Sequence, residues 1–463
     1  MKLYNTFSRK IEEFTPLDDK KIKMYTCGPT VYREIHIGNL RTYITSDILV
    51  RILKEQGYDV LHAMNITDVG HFRFSSEFHK VIDPVMQEAK ELSVAPLEIS
   101  QKYTSIFLND AKKVNILPAD FYPRATEHIQ DMIDLIEVLL EKKFAYIADG
   151  NVYFNVKKFK DYGKLSGNIL DKMDQLMEAV RVSVEADKKD SADFALWKKA
   201  EPDRVMKWNS PWGEGVPGWH IECSAMSAKV LQTLTLDIHA GGEDLIFPHH
   251  EDEIAQSEAA SGIPFVKYWV HTNFLLVNGG KMSRSKRNVF TLNDFIAKKF
   301  SPLAFRYLTF QTHYRSRMNF TWEALEAAQS ALDKLYETVS SFPFPTTENA
   351  DYYGDFIDAT SLDLNMPKAI SIVWDMLRSD LNGAQKAATI FKMDEVLGLK
   401  IYDMVQMLNN IPDSVKNLLA EREECRKQKR FNMSDQIRAK IEKMGYVIED
   451  SKKGSRILRK INS

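Results

Sequence analysis

The alternation of apolar segments with a helical pattern near the N-terminus constrains the fold more than any other feature. An apolar run at residues 22–27 ends in a Gly-Pro turn, and residues 40–53 place apolar side chains at three- and four-residue spacing. A second apolar run follows at residues 60–66. Strand, helix and strand in this order predict a parallel βαβ unit of a doubly wound sheet. Such sheets bind ligands at the carboxyl ends of their strands, so we expect chemistry just after residues 27 and 66.

An insertion interrupts this alternation between residues 118 and 211. Residues 125–142 repeat apolar side chains with helical spacing, and residues 144–156 have the pattern of a β-hairpin with Asp149-Gly150 at its turn. We therefore predict that this segment divides one α/β domain into two halves.

The C-terminal third is helical and ends in a basic tail. Helical spacing at residues 325–339 and 369–393 predicts a bundle. The whole chain has a formal net charge of −2, whereas residues 416–463 hold 14 Lys and Arg against 7 Asp and Glu. A near-neutral total excludes a global attraction to a polyanion, so any nucleic-acid surface is local. The tail, a basic helix with a strand after Gly445, is either a solvated helix face or such a surface.

The cysteines and the N-terminal sequence indicate the compartment. Cys27, Cys223 and Cys425 are too few for a disulfide framework in 463 residues, which favours a reducing environment with free or metal-bound thiols. The first residues lack a signal-peptide pattern, and no later stretch reaches about 18 apolar residues. These features predict a cytoplasmic protein with no membrane contact. Cys425, inside the basic helix, is expected to be an ordinary thiol.

Two segments have the composition of phosphate-binding sites. His36-Ile37-Gly38-Asn39 lies where the first strand turns into its helix, and a helix N-terminus attracts phosphate through unpaired N–H groups. His36 and Asn39 either donate to phosphoryl oxygens or cap the helix. The segment from Gly279 to Ser285 joins a glycine entry to Lys281 and Arg284, which could neutralise a pyrophosphate; a solvated basic loop has the same composition.

Four further side chains form a candidate metal site. His249 and Glu253 are four residues apart after Pro248 and would share one face of a helix. Cys27 and Cys223 lie far from them in sequence. Two thiolates, one imidazole and one carboxylate suit a tetrahedral zinc ion. Buried free cysteines and a paired helical histidine explain the same residues without a metal.

Taken in order along the chain, the motifs resemble those of the cysteinyl-tRNA synthetase family, within the class I aminoacyl-tRNA synthetases. The resemblance covers nearly the whole chain and rests on Cys27-Gly28-Pro29-Thr30-Val31-Tyr32, His36-Ile37-Gly38-Asn39, Asn65-Ile66-Thr67-Asp68, Pro123 to His128, Gly218 to Met226, Asp237 to Gly242, Phe247 to Glu253 and Lys281 to Ser285. It implies a Rossmann-type α/β class I catalytic domain with an insertion, then an α-helical bundle and a small α+β C-terminal domain.

The resemblance also implies a division into six segments. These are the first half of the Rossmann catalytic domain (1–117), the connective insertion (118–211), the second half of the catalytic domain (212–270), a loop and stem-contact domain carrying Lys281 to Ser285 (271–320), a tRNA-binding helical bundle (321–412) and a basic anticodon-binding domain (413–463). The insertion is too short to suggest an editing domain.

Site roles follow from the resemblance, residue by residue. Zinc, one ion per chain, is expected on Cys27, Cys223, His249 and Glu253. L-Cysteine is expected against Gly28, Thr30, Trp219 and His239. ATP is expected against His36, Gly38, Asn39, Gly241, Gly242, Asp244, Lys281 and Arg284, of which His36, Asn39, Lys281 and Arg284 would act on the phosphates. Zinc takes a substrate sulfur as thiolate and rejects the harder serine hydroxyl, which makes editing unnecessary.

The resemblance implies ATP-dependent attachment of L-cysteine to tRNA(Cys) through a cysteinyl-adenylate, by a monomer that uses magnesium with its ATP. Two other functions remain open. A cysteine ligase of the mycothiol-pathway type acts on an amino sugar and lacks the basic tail. A non-catalytic tRNA-binding paralogue usually loses the phosphate-contacting residues, which this chain retains.

Several positions depart from the family pattern, among them Ser285-Lys286-Arg287-Asn288, which lacks the family's Leu-Gly. Asn39 stands where the final histidine of His-Ile-Gly-His is usual, which keeps a donor but not a positive charge. Arg284 replaces the second lysine of Lys-Met-Ser-Lys-Ser and keeps the charge with a different donor geometry. Ile457 stands where many members have tryptophan, so the resemblance does not carry a base-stacking contact over to this position.

Overall fold

The computed structural model describes residues 1–69, 73–75, 80–167, 187–283, 288–451 and 454–459. Its contacts divide the chain into two compact units. The first unit comprises Met1–Thr291, Thr312–Asn319 and Ser361–Leu364, and the second comprises Leu292–Gln311, Phe320–Thr360 and Asn365–Ser463.

The first unit combines strands and helices, and the second is mostly helical. The strands of the first unit are β1 (Lys2–Asn5), β2 (Lys10–Glu13), β3 (Lys21–Thr26), β4 (Asp59–Met64), β5 (Arg73–Ser75), β6 (Lys80–Ile82), β7 (Ala145–Ala148), β8 (Asn151–Phe154), β9 (Phe194–Lys199), β10 (Gly215–Pro217), β11 (Leu236–Gly242), β12 (Val266–Thr272), β13 (Leu275–Val277), β14 (Gly280–Lys281) and β15 (Met318–Phe320). Its helices are α1 (Ile37–Glu55), α2 (Pro84–Leu92), α3 (Pro96–Lys113), α4 (Ile129–Glu141), α5 (Trp219–Leu231) and α6 (Glu251–Ser261). The second unit contains α7 (Leu292–Ala297), α8 (Pro302–Thr309), α9 (Trp322–Ser340), α10 (Ala350–Ser361), α11 (Met366–Arg378), α12 (Gly383–Leu397), α13 (Ile401–Asn409), α14 (Asp413–Lys427), α15 (Phe431–Lys443), β16 (Tyr446–Ser451) and β17 (Gly454–Arg459).

A parallel sheet with strand order β12–β11–β3–β4 forms the centre of the first unit and confirms the predicted α/β class. Helix α1 joins β3 to β4, as the alternating sequence pattern predicts. The helix begins at Ile37, three residues before the predicted start, because the His36 side chain caps it by accepting a hydrogen bond from the Asn39 N–H.

The strand order reverses between β3 and β11, which places a crevice at the carboxyl edge of the sheet. Cys27 follows β3 directly, and Asn65 follows β4. Gly242 ends β11, and Thr272 ends β12. The parallel sheet therefore brings four sequence-distant segments to one edge.

An antiparallel sheet with order β10–β9–β8–β7 and helix α4 follow the first half of the parallel sheet, and because β10 lies after residue 211, this sheet extends past the predicted end of the insertion. Strands β7 and β8 are a hairpin with Asp149-Gly150 at its turn, where both residues have positive φ, 46° and 78°. A two-residue turn with two positive φ angles matches the twist of the paired strands, which explains the glycine at position 150.

The second unit corrects one sequence expectation. The helical pattern at residues 369–393 is two helices, α11 and α12, and not one. Ser379 is extended after α11, and the Asn382 side chain caps α12 by accepting from the Gln385 N–H. No helix in the described parts of the chain is both long and apolar enough to cross a lipid bilayer.

The basic tail forms a small α+β structure, in which α14 and α15 pack with the hairpin β16–β17. Its core contains Cys425 and Ile457, which are 2% and 9% exposed. Cys425 is thus a packed thiol, as expected. Ile457 is a core residue, which explains why an aliphatic side chain serves at this position.

Candidate active site

A cavity of about 500 Å³ opens at the carboxyl edge of the parallel sheet. Ten of the sequence-predicted site residues line it: Cys27, Gly28, Thr30, His36, Gly38, Asn39, Trp219, Gly242, Asp244 and Lys281. Cys223, His239, Gly241, His249 and Glu253 lie buried outside its lining. Arg284 lies outside the described residues.

The predicted metal ligands converge at one end of this cavity. One potential ligand atom from each of Cys27, Cys223, His249 and Glu253 lies within 4.8 Å of the others. The two sulfurs are 3.9 Å apart, and His249 Nε2 is 2.9 Å from Glu253 Oε1. Cys223 comes from α5, whereas His249 and Glu253 span the turn that enters α6. All four residues are buried, and Cys27 lines the cavity.

The charges of this cluster suit a cation. Burial raises the pKa of the Glu253 carboxyl, but His239 and His249 outweigh it and bring the pKa to about 2. Burial also opposes ionisation of the Cys223 thiol, yet Cys27 and His249 bring its pKa to about 6. Glu253 and Cys223 can therefore offer a carboxylate and a thiolate near neutral pH. Burial and the Cys223 sulfur raise the pKa of the Cys27 thiol. Burial lowers the pKa of His249, but Glu253 and Cys223 outweigh it and raise that pKa to about 10. A metal would therefore displace the protons of Cys27 and His249. The donor set, two sulfurs, one imidazole and one carboxylate, fits zinc.

A second set of donors shares two of these residues. Cys27, His239, His250 and Glu253 also have potential ligand atoms within 4.8 Å of one another. His250 Nε2 is 3.3 Å from the Cys27 sulfur, and His239 Nε2 is 2.9 Å from Glu253 Oε2. Sequence reasoning assigned no role to His250. Its position three residues before Glu253 was a signal that it could face the same cluster.

The predicted cysteine contacts divide into two groups. Gly28 and Thr30 line the cavity, and Trp219 does so while its ring stacks on His249 at a centroid distance of 4.3 Å. His239 is fully buried, lies outside the cavity lining and contacts Glu253. It therefore supports the metal cluster more directly than it could contact a substrate in the cavity.

Gly28 forms part of the cavity wall because its backbone approaches Asn65. The Gly28 N–H donates to Asn65 Oδ1 over 2.8 Å, and a Cβ at position 28 would lie 1.8 Å from the Asn65 carbonyl oxygen. No side chain fits at that distance, so this wall is built from main chain.

The other end of the cavity holds the first phosphate motif. His36 Nδ1 accepts a hydrogen bond from the Asn39 N–H over 3.2 Å. One ring nitrogen of His36 therefore caps the helix, as the capping alternative predicted. An accepting Nδ1 leaves the proton of a neutral imidazole on Nε2. Burial lowers the pKa of His36, which favours that neutral form. The ring thus caps α1 with one nitrogen and keeps a donor on the other.

The second phosphate motif lies against the first. A Cβ at Gly38 would come within 2.7 Å of Met282 Cε, and the Ile37 N–H donates to the Phe290 carbonyl over 2.9 Å. Asn288 Oδ1 accepts the Ser283 N–H over 2.8 Å. Met282 and Phe290, which both follow Lys281, therefore lie near the start of α1.

The predicted adenosine residues lie at the end of β11. Gly241 is packed against His250, and Gly242 leaves space for Asp244, whose Oδ1 would be 2.4 Å from a Cβ at position 242. Asp244 is exposed and lines the cavity, where its carboxylate is available to hydroxyl donors.

The basic tail presents fewer free cations than its sequence suggests. Arg422 is 2% exposed, and its Nη2 is 2.9 Å from Asp450 Oδ2. The hydrogen bonds from Arg422 hold the pKa of Asp450 below its usual range. Lys427, Lys429 and Arg430 are exposed.

Comparison with known proteins matches two segments of the chain to family models. A family model described as the class I (C) tRNA synthetase catalytic domain matches residues 13–330, and the cysteinyl-tRNA ligase anticodon binding domain matches residues 408–457. A cysteine-tRNA ligase of Thermococcus onnurineus is 40% identical over 98% of each chain. Cysteine-tRNA ligase 1 of Burkholderia lata is 41% identical over 98% of this chain and 96% of its own.

Solved structures agree on the fold. Methionyl-tRNA synthetase of Mycobacterium tuberculosis, in complex with methionyl-adenylate, has a TM-score of 0.53 at 15% identity, covering 84% of this chain and 91% of its own. A LeuRS of Agrobacterium radiobacter, in a ternary complex with tRNA, has a TM-score of 0.57 at 10% identity, covering 85% of each chain. With a catalytic-domain match over more than half its length and full-length relatives at about 40% identity, this chain belongs to the cysteinyl-tRNA synthetase family of class I aminoacyl-tRNA synthetases.

Proposed function

We propose that this protein attaches L-cysteine to tRNA(Cys) in two steps, with cysteinyl-adenylate as the intermediate. The observation that carries the proposal is one cavity with two unlike ends, a Cys/His/Glu cluster at Cys27 and a phosphate end at His36 and Lys281. Cysteine has a soft thiol and ATP has a triphosphate, so each end matches the chemistry of one substrate.

Cys27, Cys223, His249 and Glu253 would hold one zinc ion. When bound, zinc supplies a soft Lewis acid that favours a thiolate over the hydroxyl of serine. Gly28, Thr30 and Trp219 would orient the rest of the amino acid. His239 would fix Glu253 from behind and not touch the substrate.

In the first step, a carboxylate oxygen of cysteine attacks the α-phosphorus of ATP, and the bond from that phosphorus to the bridging oxygen breaks to release pyrophosphate. The His36 Nε2–H, the Asn39 amide and the N-terminus of α1 would stabilise the phosphoryl oxygens. Lys281 and Arg284 would neutralise the pyrophosphate, with magnesium on the ATP phosphates. Gly38, Gly241, Gly242 and Asp244 would line the nucleoside.

In the second step, a hydroxyl oxygen of the terminal tRNA ribose attacks the carbonyl carbon of the adenylate, and AMP leaves. We assign tRNA contacts to the helical bundle at 321–412 and the basic domain at 413–463. The segments 1–117 and 212–270 would form the catalytic domain, with 118–211 as its insertion and 271–320 as the loop domain. We further propose that the protein acts as a cytoplasmic monomer.

ATP–pyrophosphate exchange on purified protein tests this function, with cysteine and serine as paired substrates and zinc measured on the same sample. We expect exchange with cysteine alone, about one zinc per chain, and acylation when tRNA(Cys) is added. Exchange without tRNA charging, but with cysteine transfer to an amino sugar, would instead identify a mycothiol-type ligase. No exchange with either amino acid would indicate a non-catalytic tRNA-binding protein.

A further inference from the structure

Arg41 is a buried cation whose described hydrogen bonds all go to main-chain carbonyl groups, while the nearby Glu243 carboxylate favours its charge. It is 1% exposed and lies on α1, one turn after Gly38. Its Nη1 donates to the carbonyl oxygens of Asn273 and Phe274 over 2.7 and 3.1 Å. Its Nη2 donates to those of His313 and Ser316 over 3.2 and 2.8 Å. Burial lowers the pKa of Arg41 to about 10, so the group stays charged at neutral pH.

This arrangement is costly as a means of stabilisation. Burying a cation gives up hydration, and four carbonyl dipoles together with the charge of the nearby Glu243 carboxylate offset that loss only in part. What the five donors of a guanidinium provide is a fixed geometry, because a planar fork can hold several carbonyl groups in one place. The function of Arg41 therefore lies in fixing the residues that carry those carbonyl groups.

Phe274 is held on both sides of its backbone. Its carbonyl accepts from Arg41 and from the Met318 N–H over 3.1 Å, and its N–H donates to Glu243 Oε1 over 2.8 Å. Glu243 directly follows β11, so Phe274 is tied to the carboxyl edge of the sheet as well as to α1. A residue with both backbone groups fixed has little freedom in the direction of its side chain.

The Phe274 ring faces the cation of the second phosphate motif. Lys281 Nζ lies 5.1 Å from the ring centroid, within the range of a cation–π contact. Lys281 is exposed and at the end of the short strand β14, where a four-carbon side chain would otherwise sample many rotamers. Phe274 and Lys281 both line the cavity.

We propose that Arg41 and Glu243 position Phe274 so that its ring holds the Lys281 ammonium group at the phosphate end of the cavity. Arg41, Glu243 and Phe274 are then positioning residues that act through Lys281, in a reaction step that rests on the proposed function. The start of α1 and the lysine-bearing hairpin thereby share one support. Both phosphate-contacting groups keep their spacing because Arg41 joins them.

The test compares Arg41→Lys and Phe274→Leu with a matched control, Arg51→Lys, by the kinetics of cysteine-dependent pyrophosphate exchange. Arg51 is also buried on α1, but it donates to Asp47 and to the Asn115 carbonyl, away from Phe274. Each variant is made in the wild-type chain and in a Lys281→Ala chain, and its thermal unfolding is recorded.

We expect Phe274→Leu to lower kcat about fivefold and Arg41→Lys by up to the same factor, with KM for cysteine unchanged within about twofold. Phe274→Tyr, which keeps the π face, should retain wild-type kcat. Arg51→Lys should leave kcat within about twofold even where it lowers the unfolding temperature as much as Arg41→Lys. In the Lys281→Ala chain, the losses from Arg41→Lys and Phe274→Leu should shrink to below about twofold, because the group they position is gone.

Equal losses with and without Lys281 would overturn the inference, since the residues would then act on overall structure. A loss in Arg51→Lys as large as that in Arg41→Lys would overturn it as well. If the wild-type protein shows no exchange with cysteine, the proposed function fails, and this inference fails with it. If the wild type is active and the variant effects are additive, only the inference fails.

Discussion

The two ends of the cavity are built on opposite principles. At the end that we propose binds cysteine, called the cysteine end, Cys223, His249 and Glu253 are buried and close to one another. At the phosphate end, the protein offers a helix N-terminus, a neutral imidazole on His36 and an exposed Lys281. The cysteine end is a fixed set of ionisable groups. The phosphate end is a set of donors that can stabilise the negative charge of a phosphate.

The difference follows from what each end must recognise. In the proposed function, a bound zinc ion selects a thiol over a hydroxyl, and a buried and mutually restrained donor set would hold that ion at a fixed place. A triphosphate carries its own charge and its own magnesium, so the protein needs to place donors where charge develops. We therefore expect losses at the cysteine end to be nearly complete and losses at the phosphate end to be graded.

The largest effect is expected from Cys223→Ser. Replacing a thiolate with a poorly ionised hydroxyl should reduce zinc well below one per chain and lower cysteine-dependent exchange on the order of 1000-fold. Zinc analysis and exchange on the same preparation measure both quantities. Cys425→Ser, at a packed thiol of the tail, is the control. Unchanged zinc content in Cys223→Ser would contradict the assignment of the metal site.

His62 is buried outside both ends of the cavity. Its titration measures how much free energy it costs to place a charge in the interior of this fold. His62 donates to or accepts from Thr26 Oγ1 over 2.9 Å, and burial lowers its pKa to about 4. Because the folded state binds this proton less readily than the unfolded state, the contribution is fully present above about pH 6.5 and is lost as the pH falls towards 4.

The unfolding free energy should therefore fall by about 3 kcal/mol more in the wild type than in His62→Gln between pH 7 and pH 4. Denaturant unfolding of both proteins at several pH values measures the difference and cancels the other buried groups. Parallel pH profiles for the two proteins would show that His62 titrates normally.

A graded loss is expected at the phosphate end. Lys281→Ala should lower kcat for exchange about 100-fold while KM for cysteine changes little, because the lysine acts on charge that develops on the pyrophosphate. Steady-state exchange kinetics separate the two constants. An equal rise in KM for cysteine would mean that the two ends are not independent.

The smallest effect concerns the tail. The double substitution Lys427→Glu and Arg430→Glu should raise KM for tRNA about tenfold at low salt and leave exchange without tRNA unchanged. The matched control is the double substitution Lys54→Glu and Lys112→Glu, which reverses the charge of two exposed residues of the first unit. Loss of exchange in the tail variant would contradict the separation of activation from tRNA binding.

Local sequence predicted the elements more completely than it predicted the site. The βαβ unit, the hairpin at Asp149-Gly150 and the tail are all readable because each depends on nearby residues. The break between α11 and α12 was also readable, since Asn382 is a strong helix cap, yet apolar spacing across it suggested one helix.

Contacts between residues far apart in sequence could not be predicted from local sequence. Spacing alone could not bring Cys27 to Cys223, 196 residues away, and the family resemblance supplied that pairing. No local sequence signal identified Arg41, because in the sequence a buried arginine with carbonyl partners cannot be told from a surface arginine of a helix. Phe274 gave no signal either, since its importance comes from the position of Lys281 beside it.

The main-chain wall at Gly28 has a consequence for engineering the amino-acid specificity of this enzyme. Because the Asn65 carbonyl fills the space that a side chain at position 28 would need, no library at that position can reshape the cavity. A pocket enlarged or narrowed for a cysteine analogue would instead be redesigned at other residues that line the cavity, such as Thr30 and Trp219. The evolvable part of the cysteine end is thus smaller than its lining suggests.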